Sequence, residues 1–256
     1  NVEYYGKGGL DLTGEAPIDM PTGVMRPNNR VNFRGNVAEM SGNGVDVELL
    51  SKNTTGNLKW NTAYFFSYAM NRVTNYQLEQ TSASAYVNAG FGITPIVGKP
   101  LNAVFVYRFG GLDPETGNPT GYLEGEETTN YSNIIFGTEP DDLRYIGPAI
   151  PPYFGGIRND FTYRSWGLSL NLTYRLGYYY VRNSINYNAL YNNWNGHGDF
   201  ERRWQQPGDE LWTNVPSMVY PNNSNRDAFY TNSEALIERG DNIRIKDIRL
   251  NYTFSN

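Results

Sequence analysis

A chain of 256 residues, 39% of them hydrophobic, is long enough to bury a sizeable core as one large β-domain or two small ones. The net charge of −5 is mild and spread along the chain, without the Lys/Arg clusters of a phosphate-binding surface, which excludes nucleic acid as a partner. The absence of cysteine excludes a disulfide scaffold, thiol catalysis and a Cys-ligated metal. Aromatics reach 15%, with 21 Tyr against 12 Phe, and tyrosine suits a place where one end of the ring is dry and the other wet.

No apolar run approaches the ~20 residues of a membrane-spanning helix, which leaves barrel strands untouched because their alternating signal is weak. No charged start followed by an apolar stretch marks a signal peptide. The opening "NVEYYGKGGLDL" already resembles a strand interior, and the chain is expected to be a mature piece of something longer.

In chain order, "GVDVELL" (44–50) alternates, "SKNTTGN" (51–57) reads as a turn, and "LKWNTAYFFSYAMNRV" (58–73) alternates again. Leu58, Trp60, Tyr64, Phe66, Tyr68 and Met70 take one face of the second run and Lys59, Asn61, Ser67 and Asn71 the other. Long polar stretches follow at 73–101 and 110–153, around "NAVFVYRFGG" (102–111), for which "YSNIIFG" (131–137) is a possible strand partner. If the short turns share one side, residues from about 74 to 153 form a single excursion on the other.

The next hairpin has Ile157, Phe161 and Tyr163 in phase, a polar turn, then Leu168, Leu170, Leu172, Tyr174 and Leu176 on one face, with Ser169, Asn171, Thr173 and Arg175 between them. Tyr163 and Trp166 lie at one end of these runs and Tyr174 and Tyr178 to Tyr180 at the other, the placement of two interfacial girdles. A polar, aromatic-rich stretch covers 177–241. The last strand, "NIRIKDIRLNYTF" (242–254), changes phase at Lys246-Asp247, which predicts a β-bulge. Short turns at one end and long loops at the other are the pattern of an outer-membrane barrel.

Candidate catalytic groups are weak. Asp113, Glu115 and Asn118 in "LDPETGNP" lack the remaining oxygens of a calcium loop and read as a Pro/Gly turn. The pairs Glu126-Glu127, Asp141-Asp142 and Asp209-Glu210 sit in loops without the rigid frame a glycosidase couple needs, and His197 stands between glycines. No enzyme, metal or cofactor is expected. Tyr191, Trp194, Trp204, Trp212 and Tyr220 could contact a sugar or a partner protein, or pack the long loop on itself.

Four stretches carry a family resemblance: "GKPLNAVFVYRFGGLDPETGNPTGYLEG" (98–125), "GPAIPPYFGGIRNDFTYRSWGLSLNLTYRLGY" (147–178), "RRWQQPGDE" (202–210) and "ERGDNIRIKDIRLNYTF" (238–254). In this order, and with "EMSGNGVDVELL" (39–50), they resemble the C-terminal part of the barrel of SusC-like (SusC/RagA) TonB-dependent outer-membrane transporters of Bacteroidota. The resemblance implies an all-β fold: a transmembrane antiparallel segment of a 22-stranded barrel, with 1–256 a partial barrel domain lacking the plug and the last strands. It implies import of nutrient oligomers, glycans or peptides, with a SusD-like surface lipoprotein and with the TonB complex acting through segments absent from this chain. Leu168, Leu170, Leu172, Tyr174 and Leu176 would then face outer-membrane lipid, and Ser169, Asn171, Thr173 and Arg175 the lumen. The alternative is a secreted soluble β-sandwich that binds or hydrolyses carbohydrate.

Overall fold

A computed structural model describes residues 1–17, 32–77, 82–87 and 95–254. The chain begins with three long strands, β1 (Val2–Pro17), β2 (Asn32–Thr55) and β3 (Leu58–Tyr76). An excursion follows, holding α1 (Ala83–Val87), β4 (Ala103–Val106), β5 (Phe109–Leu112), β6 (Pro119–Leu123), β7 (Glu126–Thr128), α2 (Tyr131–Gly137) and β8 (Arg144–Pro148). The chain returns through the hairpin β9 (Tyr153–Tyr163) and β10 (Trp166–Leu176). A second excursion carries β11 (Tyr179–Val181), α3 (Tyr187–Asn193), α4 (Ser224–Thr231) and β12 (Ile237–Arg239) before β13 (Asn242–Tyr252) closes the order.

The six long strands form one antiparallel sheet in the order β1-β2-β3-β9-β10-β13. Because β3 pairs directly with β9, everything between them is one excursion, as the strand parity requires. The hairpin turns are minimal: Gly56-Asn57 between β2 and β3, and Arg164-Ser165, with Arg164 at φ 52°, between β9 and β10. Residues 51–55, expected in a turn, instead extend β2, since Ser51 and Lys52 stay in register with Thr62 and Asn61. At the other edge the ladder passes from Asn171↔Asp247 to Leu172↔Ile245, so Lys246 is the extra residue of the expected bulge.

The excursions depart most from the sequence reading. Segment 131–137 is the helix α2, not a strand, capped by Asn130, whose side chain accepts from the Asn133 N–H at 3.2 Å. Its apolar residues Tyr131, Ile134 and Ile135 fit a helical stripe as well as a short strand run. The run 102–111 splits into β4, paired with β8, and β5, paired with β6. The stretch 177–241 is ordered by α3 and α4, each opened by an asparagine cap, Asn186 and Asn223.

The main core lies here and not on the sheet. Ala83, Tyr86, Phe105, Tyr107, Tyr131, Ile134, Ile135 and Leu143 from the first excursion surround Phe229 from the second. A smaller cluster joins Ile185, Tyr187 and Val215. The two excursions therefore fold together as one cap on the sheet.

Candidate functional site

The strand register sorts the sheet's side chains into rows. Across β3, β9, β10 and β13 the rows run Leu58–Tyr163–Trp166–Tyr252, then Trp60–Phe161–Leu168–Leu250, then Tyr64–Ile157–Leu172–Ile245 and Phe66–Gly155–Tyr174–Ile243. Val45, Val47 and Leu49 of β2 and Val2 and Tyr4 of β1 continue the same face. Trp60, Leu168, Ile248 and Leu250 are among its exposed apolar side chains, and no described element packs over them. A sandwich would bury this face against a second sheet.

The opposite face is polar. Ser169, Asn171, Thr173 and Arg175 stand beside Asp160, Arg158, Gly156 and Phe154 of β9 and Arg249, Asp247, Arg244 and Asn242 of β13. Arg158 pairs with Asp160 at 3.0 Å, and Asn171 donates to Asp247 at 3.1 Å. Leu50, Phe65 and Phe154 are its apolar exceptions. β9 and β10 have 11 residues each, enough to cross a hydrocarbon layer at a tilt.

The apolar face also holds a polar seam that its hydrophobic periodicity conceals. Ser51 donates to Asn53 at 2.8 Å, Asn53 to Thr62 at 2.7 Å, and Thr62 to Asn159 Oδ1 at 2.7 Å. The Trp60 indole N–H donates to the same oxygen at 2.9 Å. Nearer the cap, Gly155 leaves room for the Tyr174 ring to cross β9, so that its hydroxyl reaches Tyr64 at 3.2 Å and the Phe65 carbonyl at 3.1 Å.

Arg226 on α4 ties the cap together. It is buried, donates to Asn118 Oδ1 at 2.8 Å, to the Ser217 carbonyl at 2.8 Å and to Ser217 Oγ at 3.1 Å, and lies over the Tyr187 ring. Its neighbour Asp227 accepts from the Asn188 N–H at 2.7 Å; burial pushes its carboxyl up, and that bond with Arg226 offsets part of the shift. A second node is Asp199, held by Arg182, by Ser184 at 2.6 Å and by Arg202 at 2.9 Å. Burial alone would raise its carboxyl; the three donors hold it well below the usual carboxylate range. His197 serves this node as a cap, its Nδ1 accepting from the Asp199 N–H at 3.1 Å.

Asp113 has a turn-forming role, its Oδ1 accepting from the Glu115 and Thr116 N–H groups and the Thr116 hydroxyl. Asp209 and Glu210 order the "RRWQQPGDE" loop through the Gln205, Gln206 and Gly208 N–H groups. Among the described residues no group of His, Asp and Glu has the arrangement of a metal site.

The five aromatic candidates divide in two. Trp204 is 8% exposed, lies against Gly117 and donates its indole N–H to Glu210 at 3.1 Å. Tyr191 is half-buried beside Tyr187 and Tyr220, with its hydroxyl on the Val219 carbonyl. Trp194, Trp212 and Tyr220 project, at 90%, 89% and 82% exposure. Trp194 also takes the left-handed conformation (φ 57°) at the end of α3, a place where glycine or asparagine is favoured. Packing within the cap explains neither its size nor its position. Sequence reasoning placed Asn118 in a turn but missed its partner Arg226, and missed Glu234, whose carboxylate joins Arg144 at 3.1 Å to the Phe109 N–H, because partners some hundred residues apart leave no local pattern.

No protein-family model and no curated protein matches this sequence. Solved structures do. A chain of the RagAB peptide transporter superposes on all of this chain with a TM-score of 0.68 at 19% identity. Chains of the RagAB peptide importer in its closed-closed and open-open states do so at 0.70 and 0.69, with 18% and 19% identity. This chain spans about a quarter of their length, 26–27%. The two-faced sheet and its folded cap thus share the fold of part of those transporter chains: an all-β segment of barrel wall, with no further strand beside β1 or β13 among the described residues.

Proposed function

We propose that this chain is part of the barrel of a SusC-like, TonB-dependent outer-membrane importer of nutrient oligomers, its C-terminal part, working with a SusD-like surface lipoprotein. The observation that carries the reading is the sorting of side chains across six strands, broken on the apolar face by the seam at Ser51, Asn53, Thr62 and Asn159. Apolar rows from Val2 to Leu250 cover one face and a charged and amide face lies behind them. Strands can cross hydrocarbon only when their backbone groups are paired and their outward side chains apolar.

On this reading Leu168, Leu170, Leu172, Tyr174 and Leu176 meet lipid, and Ser169, Asn171, Thr173 and Arg175 meet the lumen. The cap lies on the outer side, where Trp194, Trp212 and Tyr220 offer exposed rings to a lid protein or to the oligomer. Trp204 and Tyr191 hold the surface that presents them. The chain acts by shape and surface chemistry, not as an enzyme.

Fractionation of source-cell membranes tests this directly. The full-length protein is expected in the outer membrane, co-purifying in mild detergent with a surface lipoprotein. Recovery as a detergent-independent soluble monomer would overturn the proposal in favour of a soluble β-protein.

A further inference from the structure

The sequence contains two Asn-Gly steps, Asn43-Gly44 and Asn195-Gly196, and the fold treats them in opposite ways. At such a step the glycine nitrogen can attack the asparagine Cγ, because glycine carries no Cβ to block the approach and turns freely about its backbone bonds. Whether it does so depends on how far the surrounding chain lets the two residues bend.

Asn43-Gly44 is held. Both residues lie in β2, opposite Gly6 and Tyr5 of β1 on one side and Met70 and Ala69 of β3 on the other. Gly44 is buried, with the Tyr5 ring and the Tyr68 carbonyl where a Cβ would stand. Ring closure there would break the ladder on both sides.

Asn195-Gly196 follows the end of α3 and is free. Both residues are exposed, and a Cβ at Gly196 would meet nothing within 4 Å. The Asn195 N–H bonds the Ala189 carbonyl at 3.3 Å, but its side-chain amide and the Gly196 N–H have no partner among the described residues. The chain is anchored again at His197, whose carbonyl accepts from the Phe200 N–H at 3.0 Å and whose Nδ1 accepts from the Asp199 N–H at 3.1 Å. A neutral imidazole with Nδ1 accepting carries its proton on Nε2, so His197 offers no base here. Solvent hydroxide must take the Gly196 proton, and the attack speeds up as pH rises.

We infer that Asn195 is a self-modifying site. The Gly196 nitrogen bonds to Asn195 Cγ, the Cγ–Nδ2 bond breaks, and ammonia leaves as a succinimide ring closes. Water then opens the ring. Breaking the new N–Cγ bond leaves aspartate, and breaking the original peptide bond leaves isoaspartate, whose main chain runs through Cβ and is one methylene longer. Either product places a negative charge beside Trp194, which is 90% exposed. Isoaspartate also lengthens the chain between the Ala189 and Phe200 anchors. The surface that presents Trp194 therefore changes as the protein ages, whatever that surface binds.

The test holds the folded full-length protein at neutral and at mildly alkaline pH and digests it with trypsin in heavy-oxygen water, which marks any conversion during digestion. In the peptide covering residues 183–202, fragment masses should place aspartate and isoaspartate at 195, accumulating with time and faster at the higher pH. In the peptide covering 35–52, Asn43 should remain an amide until the protein is unfolded. Gly196→Ala meets no contact in the fold and should slow the conversion severalfold or more. An Asn195 still intact in the folded protein after the free peptide has converted would overturn the inference. So would conversion of Asn43 at the same rate, because the fold would then play no part, or an unchanged rate in the alanine variant, because the attack would not pass through the Gly196 nitrogen.

Discussion

Arg226 and Asn118, 108 residues apart, meet at 2.8 Å and join the two excursions that the barrel strands leave far apart in sequence. The same guanidinium holds the Ser217 backbone, which returns a hydrogen bond through its hydroxyl to the Thr116 carbonyl at 2.8 Å. Arg226→Leu would leave these oxygens buried without donors. A buried acceptor that loses a charged donor costs about 1–3 kcal/mol. The expected outcome is faster amide exchange over 112–123 and 213–220, with exchange in β9 and β10 unchanged. Protection lost equally in the strands would mean that cap and wall are one cooperative unit.

Gly117 makes a second prediction from the same corner. It holds φ +66°, and a Cβ there would overlap the Trp204 ring. Gly117→Ala therefore meets backbone strain of about 1–2 kcal/mol together with a steric clash. Trp204 should be expelled, raising its accessibility to a fluorescence quencher. An unquenched Trp204 in the alanine variant would show that the turn can adopt another path.

The strands were legible because their signal is local. Period-2 alternation placed Leu168 to Leu176 on one face, and the phase change at Lys246 located the bulge. The cap was not, and Ile134 shows why: four apolar residues within 131–137 suit a short strand as readily as one helical face. Only the distant Phe229 and the Asn130 cap decide between them. The exposed rings were separable from the packed ones only in three dimensions, since Trp204 and Trp212 lie in equally polar sequence.

Asp199 sets the acid limit of the cap. Its folded carboxyl lies below its unfolded value of about 3.9, so its stabilising contribution is complete above that pH and is lost as pH falls toward the folded value. Amide protection across 183–204 should hold from pH 7 down to about 4 and decline below it. Asp199→Asn leaves Arg182 and the exposed Arg202 without their shared carboxylate, and with Arg182 still paired to Glu238 the cost is about 1–3 kcal/mol, which should loosen this segment already at pH 7. Acid sensitivity retained in the asparagine variant would assign it to another group.

The final prediction separates the two faces of β10 at neighbouring positions. Leu170 stands opposite Ile248 on the apolar face, and Asn171 stands opposite Asp247 on the polar one. If the apolar face meets hydrocarbon, Leu170→Arg forces a guanidinium into it and destabilises the barrel by about 2–4 kcal/mol near the midplane. Asn171→Ala removes one hydrogen bond on a hydrated surface, worth about 1 kcal/mol. Unfolding of the full-length protein in lipid should reproduce that order. A soluble core would also reject the arginine, so the discriminating measurement is solvent access: a cysteine at 170 should resist a membrane-impermeant thiol reagent in lipid, and one at 171 should react. Equal reaction at both positions would mean that neither face meets lipid.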